Sequence, residues 1–356
     1  MNTRTVLHVV GSADLEGIGI SRYALDLLPF LPERYRFQML FLGSDGVVAE
    51  RARRRGMQVR CTEWMHPLQI GGALRTWRTL RADRVDIVHQ HYGGRTVKSL
   101  LHWRTQAPVI AHMCGRLQES EWRSGPRRFE MSAFDAVTAV SQAVADCALG
   151  AHARVAHPGI IAAAKPRPMP SRQICRIGAA GRMVELKGLD LLVRAFASIA
   201  PAFPMAELLL AGGGPEQPRL EHLAKELGVQ ERVKFLGWVE DTGAFYRDLD
   251  VLVQPSMEEA FGMSAAEAMA EGVPVIATSV GGLIEILGTE GAGQLVPAGD
   301  EHALVEALSR VLSDRELQER MGRAGWERIR KEFDPRIAAQ RLVEIYDSVL
   351  QPKSRQ

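Results

Sequence analysis

Pro255-Ser-Met-Glu-Glu-Ala-Phe-Gly-Met-Ser-Ala-Ala-Glu-Ala-Met-Ala-Glu-Gly-Val-Pro-Val-Ile-Ala-Thr278 decides how the rest of the chain is read. It follows an apolar run, Val251-Leu-Val253, that reads as a buried parallel strand. A loop with Glu258, Glu259, Phe261 and Gly262 comes next. The pattern predicts a helix from about Ser264 to Glu271, stopped by Gly272 and Pro274, and then a strand over 273–277. Such a strand–loop–helix–strand unit puts the loop and the helix N-terminus at the carboxyl edge of a sheet, where α/β proteins bind ligands. The free amides near Gly262, Met263, Ser264 and Ala265 suit an anion such as a diphosphate.

Two carboxylates, Glu259 in the loop and Glu267 in the helix, stand eight positions apart. That is slightly over two helical turns, so even a partly helical path keeps both on one side. In isolation the same pair reads equally as a loop acid and a solvent-facing helix acid, since charged side chains are mostly exposed. The surroundings add to it. The stretch resembles the Glu-x7-Glu motif of retaining glycosyltransferases with two Rossmann-like domains, family 4 in particular. Phe261-Gly262, Glu267-Ala-Met-Ala, Gly272-Val-Pro-Val and Gly281-Gly282 carry the match. The resemblance implies an α/β chain of two facing Rossmann-like domains (GT-B), with a final helix crossing back to the first.

Length and composition fit that size. The chain has 356 residues, 46% hydrophobic and 24% charged, as in globular proteins with room for two domains. The net charge of +2 is unevenly spread. Residues 1–165 hold 22 Lys/Arg against 14 Asp/Glu, and residues 166–356 hold 22 against 28. A basic first half can meet an anionic membrane surface or a phosphorylated acceptor, and an Arg-rich solvated surface gives the same count. Cys61, Cys114, Cys147 and Cys175 lie far apart with no Cys-x-x-Cys pair. That argues against a disulfide framework or a zinc site and for a reducing compartment. The apolar part of the N-terminus is too short for a signal peptide, and no run reaches the ~20 apolar residues of a spanning helix. The expectation is a cytoplasmic protein, at most peripheral at the inner face of a membrane.

Along the first half, strand patterns fall at 6–10, 37–42, 57–61, 86–91, 108–115, 136–140 and 153–159. A loop with Gly17 and Gly19 links the first strand to a helix predicted over about 21–31, with Arg22 placed to meet a phosphate. The amphipathic helix predicted over 73–84 has Leu74, Trp77 and Leu80 on one side and Arg75, Arg78 and Arg81 on another. It packs on the sheet or lies on a membrane. His89 and His91 end one strand and are candidates to line the cleft. In the family a histidine often precedes the glycine at the end of the next strand and approaches the donor sugar. Here that residue is Cys114, and His112, on the same face two residues earlier, is the candidate to replace it. The basic stretch 119–128 is the candidate acceptor loop. Ser141 caps a short helix. Three prolines between Pro166 and Pro170 mark a stiff linker over 162–171, a plausible hinge.

The second half repeats the alternation. After a strand over 175–180, Gly181-Arg-Met-Val-Glu-Leu-Lys-Gly188 places Arg182 and Lys187 at the carboxyl edge. Two cations there can hold a diphosphate and stabilise it as it leaves. The segment resembles the family's Gly-Arg…Lys-Gly motif. Gly212-Gly-Gly214 reads as a tight turn near the nucleotide, and the resemblance implies that backbone around Gly237-Trp238-Val239 holds the base. It also implies that Glu267 accepts from ribose hydroxyls and that Glu259 contacts the transferred sugar. The Asp248-Leu-Asp250 pair has the spacing of a metal-binding Asp-x-Asp but sits at a helix end, so no metal or other cofactor is expected.

The expectation is a retaining glycosyltransferase. Residues 1–161 form an acceptor domain joined by helix 335–356, and 172–334 form a nucleotide-diphosphate-sugar donor domain. The acceptor carries a hydroxyl, and nucleic acid is not a partner. A sugar-nucleotide epimerase and a non-catalytic sugar-nucleotide-binding protein share the architecture. A phosphorylase of this architecture would need a pyridoxal lysine and a much longer chain. A nicotinamide oxidoreductase is disfavoured, because Gly11 to Gly19 lacks Gly-x-Gly-x-x-Gly and no acidic residue closes the second strand at Leu42.

Overall fold

The computed structural model describes residues 3–13, 25–64, 69–80, 84–91, 95–115, 131, 133–148, 152–168 and 174–351. Gly17, Gly19, Arg22 and the stretch 119–128 lie outside the described residues. The chain divides into two compact units, Met1–Gly159 with Pro335–Gln356, and Ile160–Asp334.

Unit 1 is built on strands β1 (Arg4–Val10), β2 (Tyr35–Phe41), β3 (Gln58–Cys61), β4 (Ile87–Gln90), β5 (Val109–Met113), β6 (Ala136–Ala139) and β7 (Ala153–Val155). They form one parallel sheet in the order β3-β2-β1-β4-β5-β6-β7. Order reverses beside β1, the geometry that opens a crevice at the carboxyl ends. Alternate residues of β1 feed two cores: Val6 and Val10 one, Leu7 and Val9 the other. A parallel sheet must be covered on both faces, which explains its apolar strands. Between strands lie α1 (Val47–Arg54), α2 (Ile70–Thr79), α3 (Arg95–Thr105) and α4 (Gln142–Ala145), the last capped by Ser141 Oγ accepting from Val144 N at 3.1 Å.

Helix α2 starts earlier than its apolar pattern predicts, and its docked side is rotated from the expected one: Leu80 at its end is buried and Trp77 half-buried as expected, but Leu74 is not. Gly72 and Thr76 are its buried residues, whereas Leu74 is 46% exposed. The cause is close approach. A Cβ on Gly72 would come within 2.5 Å of the Glu63 carbonyl oxygen, and Thr76 Oγ1 donates to Thr62 Oγ1 at 2.9 Å. Small residues let the helix sit on backbone and turn its larger side chains outward.

Unit 2 repeats the plan with β8 (Cys175–Ala180), β9 (Ala206–Ala211), β10 (Val233–Gly237), β11 (Val251–Gln254), β12 (Val275–Thr278) and β13 (Gln294–Val296), in the order β10-β9-β8-β11-β12-β13, all parallel. Its helices are α5 (Leu189–Ile199), α6 (Gln217–Glu226), α7 (Thr242–Arg247), α8 (Met263–Ala270), α9 (Gly282–Leu287), α10 (Glu301–Ser313) and α11 (Arg315–Glu332). Asp241, Asp300 and Asp314 cap α7, α10 and α11. The start of the Pro-rich stretch is bonded into this unit: Ala163 N donates to Ala270 O and Arg167 N to Glu271 O.

The last helix, α12 (Pro335–Leu350), gives Ala338, Leu342, Ile345 and Tyr346 to a core of unit 1. Tyr346 OH lies 2.9 Å from His89 Nδ1, and the Tyr35 hydroxyl donates to Asp347 Oδ1 at 2.6 Å. His8, His89, His91 and His112 are buried together in this unit. Desolvation pushes His8 and His112 down to about 3 and His89 and His91 well below their usual value, so all four stay neutral near pH 7. Among the described residues no helix is long and apolar enough to cross a membrane.

Burial, and then the Asp347 contact, pushes Tyr35 from its ordinary value of 10.0 up to about 12. The folded state keeps the phenol protonated while the unfolded chain loses the proton first. Stability from this group is therefore present below pH 10 and lost as pH rises from 10 to 12. In urea melts the wild type should lose about 1.4 kcal/mol per pH unit more than Tyr35→Phe across that window. Parallel curves would show that Tyr35 is not so held.

Candidate active site

The carboxyl edge of unit 2 gathers the charged residues of two loops. The loop after β8 carries Gly181, Arg182 and, in a short turn, Lys187. The loop after β11 carries Ser256 and Glu259. Helix α8 begins beside them. Gly188 (φ 59°) closes the first loop, where a Cβ would overlap the Pro255 carbonyl oxygen. Only glycine lets the two loops touch there. Met257 N then donates to Leu186 O at 2.8 Å. The result is an ion pair between Lys187 Nζ and Glu259 Oε2 at 2.6 Å, the two side chains 24% and 12% exposed. Arg182 is exposed nearby on the same pocket wall. That pocket is lined by Gly181, Arg182, Lys187, Gln254 and Ser256, among others.

Glu259 is held by more than the lysine. Gln254 Nε2 donates to the same oxygen at 2.6 Å, and Ser256 Oγ lies 3.3 Å from it. Thr278 Oγ1 donates to the Ser256 carbonyl at 2.5 Å, so β12 fixes the loop from below. Gly281 (φ 49°) lies against the Glu259 backbone, and Gly282 N donates to Glu259 O at 3.1 Å. Gln254, Ser256 and Thr278 have no charge to flag them. Their signal in the sequence is position alone, at the carboxyl ends of two strands.

Glu267 lies one helical turn into α8. Tyr246, fully buried on α7, donates its hydroxyl to Glu267 Oε2 at 3.0 Å. The two acids of the spaced pair thus have separate partners, because α8 starts only at Met263 and Glu259 stays in the loop. Ser264 Oγ donates to Ala180 O at 2.8 Å and pins the N-terminus of α8 to the end of β8. Gly262 caps that helix at φ 110°. Its Cβ would meet Leu283 at 2.6 Å. Phe261 is buried and meets Phe333 edge-on at a centroid distance of 5.8 Å, so it anchors the loop in the core. Gly237 (φ 65°) accepts from Gly212 N at 2.7 Å, and Trp238 beside it is half exposed.

His112 belongs to unit 1. Its ring is buried, with Nδ1 2.7 Å from Thr138 Oγ1. Gly17 and Gly19 lie outside the described residues.

Comparison with known proteins places this arrangement. Its fold is that of solved two-domain GT-B glycosyltransferases. The structure is similar to that of HepE from Anabaena, solved in complex with UDP and glucose, with a TM-score of 0.82 at 20% identity over 96% of this chain and 99% of that one. It is also similar to a glycosyltransferase from Rickettsia africae, with a TM-score of 0.80 at 20% identity over 99% and 100% of the chains. The family described as "Glycosyl transferases group 1" matches residues 175–328, and "Glycosyltransferase Family 4" matches residues 18–163. D-inositol 3-phosphate glycosyltransferase of Saccharomonospora viridis is 30% identical over 314 residues, 77% of this chain and 73% of that protein. The chain belongs to glycosyltransferase family 4. The D-inositol 3-phosphate glycosyltransferase of Corynebacterium urealyticum is 36% identical over 49% of this chain. The phosphatidyl-myo-inositol mannosyltransferase of Mycobacterium leprae is 36% identical over 46% of it. The matched region spans 43% of each of these two relatives, less than half their length.

Gly281→Ala tests the local constraint. A side chain at this φ, against the Glu259 backbone, should lower unfolding stability by on the order of 1–3 kcal/mol. Chemical denaturation checks it, and an unchanged midpoint would mean that the loop does not need this contact.

Proposed function

We propose that the chain transfers a sugar from a nucleotide-diphosphate sugar to an acceptor hydroxyl with retention of configuration. The observation that carries this reading is the Lys187–Glu259 pair, seated with Arg182 at the carboxyl edge of unit 2 beside the N-terminus of α8. Arg182, Lys187 and the amides of Gly262, Met263 and Ser264 bind the diphosphate. Glu259 meets hydroxyls of the transferred sugar. Glu267, oriented by Tyr246, accepts from the ribose, and backbone at Gly237 and Trp238 holds the base. Gly181 keeps the loop close to the phosphates.

Catalysis in this reading is electrostatic. As the glycosidic C–O bond breaks, negative charge grows on the departing diphosphate. Preorganised cations and amides stabilise that charge more than they stabilise the bound donor. The acceptor oxygen attacks the same face of the sugar, and its proton passes to the leaving phosphate. This step calls on no metal or other cofactor. His112, whose ring is buried against Thr138, is given no role in this step. HepE, solved with UDP and glucose, and the relatives named for inositol phosphate and phosphatidylinositol support a nucleotide donor and a hydroxyl acceptor.

The acceptor side of the reading is unit 1, working in the cytoplasm against the inner face of an anionic membrane. Ile70 and Leu74 of α2 and Trp103 of α3 are 73%, 46% and 69% exposed. Trp77 stacks on Trp103 at 4.4 Å, with Arg104 over its ring. Apolar side chains among Arg75, Arg78 and Arg104, with no acid on either helix, suit an anionic lipid surface.

Thermal shift against UDP, GDP, ADP, dTDP and their sugar conjugates tests the donor site. One nucleotide should raise the melting temperature, and Glu267→Ala should abolish the shift. Glu259→Gln and Lys187→Ala should each cut transfer on the order of a hundredfold while the fold persists. Wild-type turnover in either would overturn the assignment. Donor epimerisation without acceptor would favour an epimerase, and nucleotide binding with no turnover a sugar-nucleotide-binding protein.

The membrane contact has its own test. The chain should float with vesicles containing phosphatidylserine, less with phosphatidylcholine alone. Leu74→Glu with Trp103→Glu should reduce flotation several-fold. Equal flotation of variant and wild type would rule out this surface.

A further inference from the structure

Four of the ten histidines converge in unit 1. His8 stands on β1, His89 on β4, His91 just past it, and His112 on β5, with Cys114 just past that strand. The pairs 89/91 and 112/114 are each two residues apart, so each pair shares a face of the sheet. Ring centroids of His89 and His91 are 4.4 Å apart, and those of His91 and His112 are 4.9 Å apart. One donor atom from each of His91, His112 and Cys114 lies within 4.8 Å of the other two.

Hydrogen bonds hold two of these rings in place. Thr138 Oγ1 donates to Ala111 O at 3.2 Å, so its oxygen accepts from His112 Nδ1–H at 2.7 Å. His91 Nε2 faces His8 Nδ1 at 2.9 Å. That is shorter than the ~3.3 Å separating two nitrogens on one tetrahedral zinc, so His8 is a hydrogen-bond partner of His91 and not a fellow ligand. The set is one ring nitrogen from each of His91 and His112 together with Sγ of Cys114. Each imidazole has a nitrogen held by a neighbour, His91 by His8 and His112 by Thr138, as metal-ligating histidines do.

We propose that His91, His112 and Cys114 form a site for one zinc-type divalent transition metal at the carboxyl ends of β4 and β5. Two imidazoles and a thiolate suit zinc in tetrahedral geometry, with a fourth position for water or another small ligand. Ligand atoms on such an ion lie about 3.3–3.6 Å apart. The donors now lie within 4.8 Å of one another, and Cys114, only partly buried, is the member with room to move toward the ion. As the metal–sulfur bond forms, the thiol proton leaves to solvent. The inference is independent of the donor-site reading, because every residue in it belongs to unit 1.

The test uses the full, tag-free chain after chelation and dialysis. Titration with Co2+ should give one equivalent of tetrahedral visible bands with a near-ultraviolet thiolate-to-cobalt band, and Zn2+ should displace it. Cys114→Ser should lose the near-ultraviolet band, and His112→Gln should weaken binding at least tenfold. Zn2+ should raise the melting temperature of the wild type and not of Cys114→Ser, a variant that keeps every histidine of the cluster. No Co2+ spectrum in folded wild type would overturn the site. So would a thiolate band that survives in Cys114→Ser, since it would belong to another cysteine.

Discussion

The ion pair of Lys187 and Glu259 joins two loops 72 positions apart, and much of the candidate site depends on it. Three donors converge on one carboxylate oxygen: an ammonium, an amide and a hydroxyl. Each comes from a different point, the loop after β8, the last residue of β11 and the first turn beyond it. A carboxylate so held has little freedom to reorient. Removing one partner of a fully buried pair leaves the other charge desolvated, at roughly 3–5 kcal/mol. The cost here is smaller, because Lys187 keeps a quarter of its surface. The geometry thus depends on charge, and the backbone must first bring the charges together.

Glycines do that work. Gly188 and Gly281 hold left-handed conformations, and each lies against a carbonyl oxygen of the Glu259 loop, at Pro255 and at Glu259 itself. The loop is clamped between two backbones that only a residue without Cβ can bring so near. Ser264, bonded to Ala180 O, sets the start of α8 at the same edge. Helix amides, cations and acid are therefore placed by main-chain packing. Such preorganisation is what electrostatic stabilisation of a leaving group requires.

Most of the architecture was legible because parallel strands buried on both faces are written as continuous apolar runs. Val251-Leu-Val253 and Ile87-Val88 are examples, each ending in polar residues at the carboxyl edge. The motif loops were legible because glycine and charge occur together in them. What escaped the pattern depends on approach distance. Helix α2 was misplaced in register and in face because Gly72 and Thr76 carry no apolar signal, yet they set its contact with Glu63 and Thr62. Gln254, Ser256 and Tyr246 were missed because neutral polar residues look alike until a neighbour gives them a partner.

The two units share a plan and put opposite chemistry on it. In unit 2 the strand ends lead into glycine loops, so charged side chains stay near water and keep their charge. In unit 1 the corresponding polar residues are imidazoles, set beneath α12 with Tyr346 over them. Burial costs a protonated imidazole several kcal/mol, so these rings remain neutral. A diphosphate gains little from neutral rings, whereas a cation gains a great deal. The same topology thus produces an edge suited to anions in unit 2 and one suited to a metal ion in unit 1.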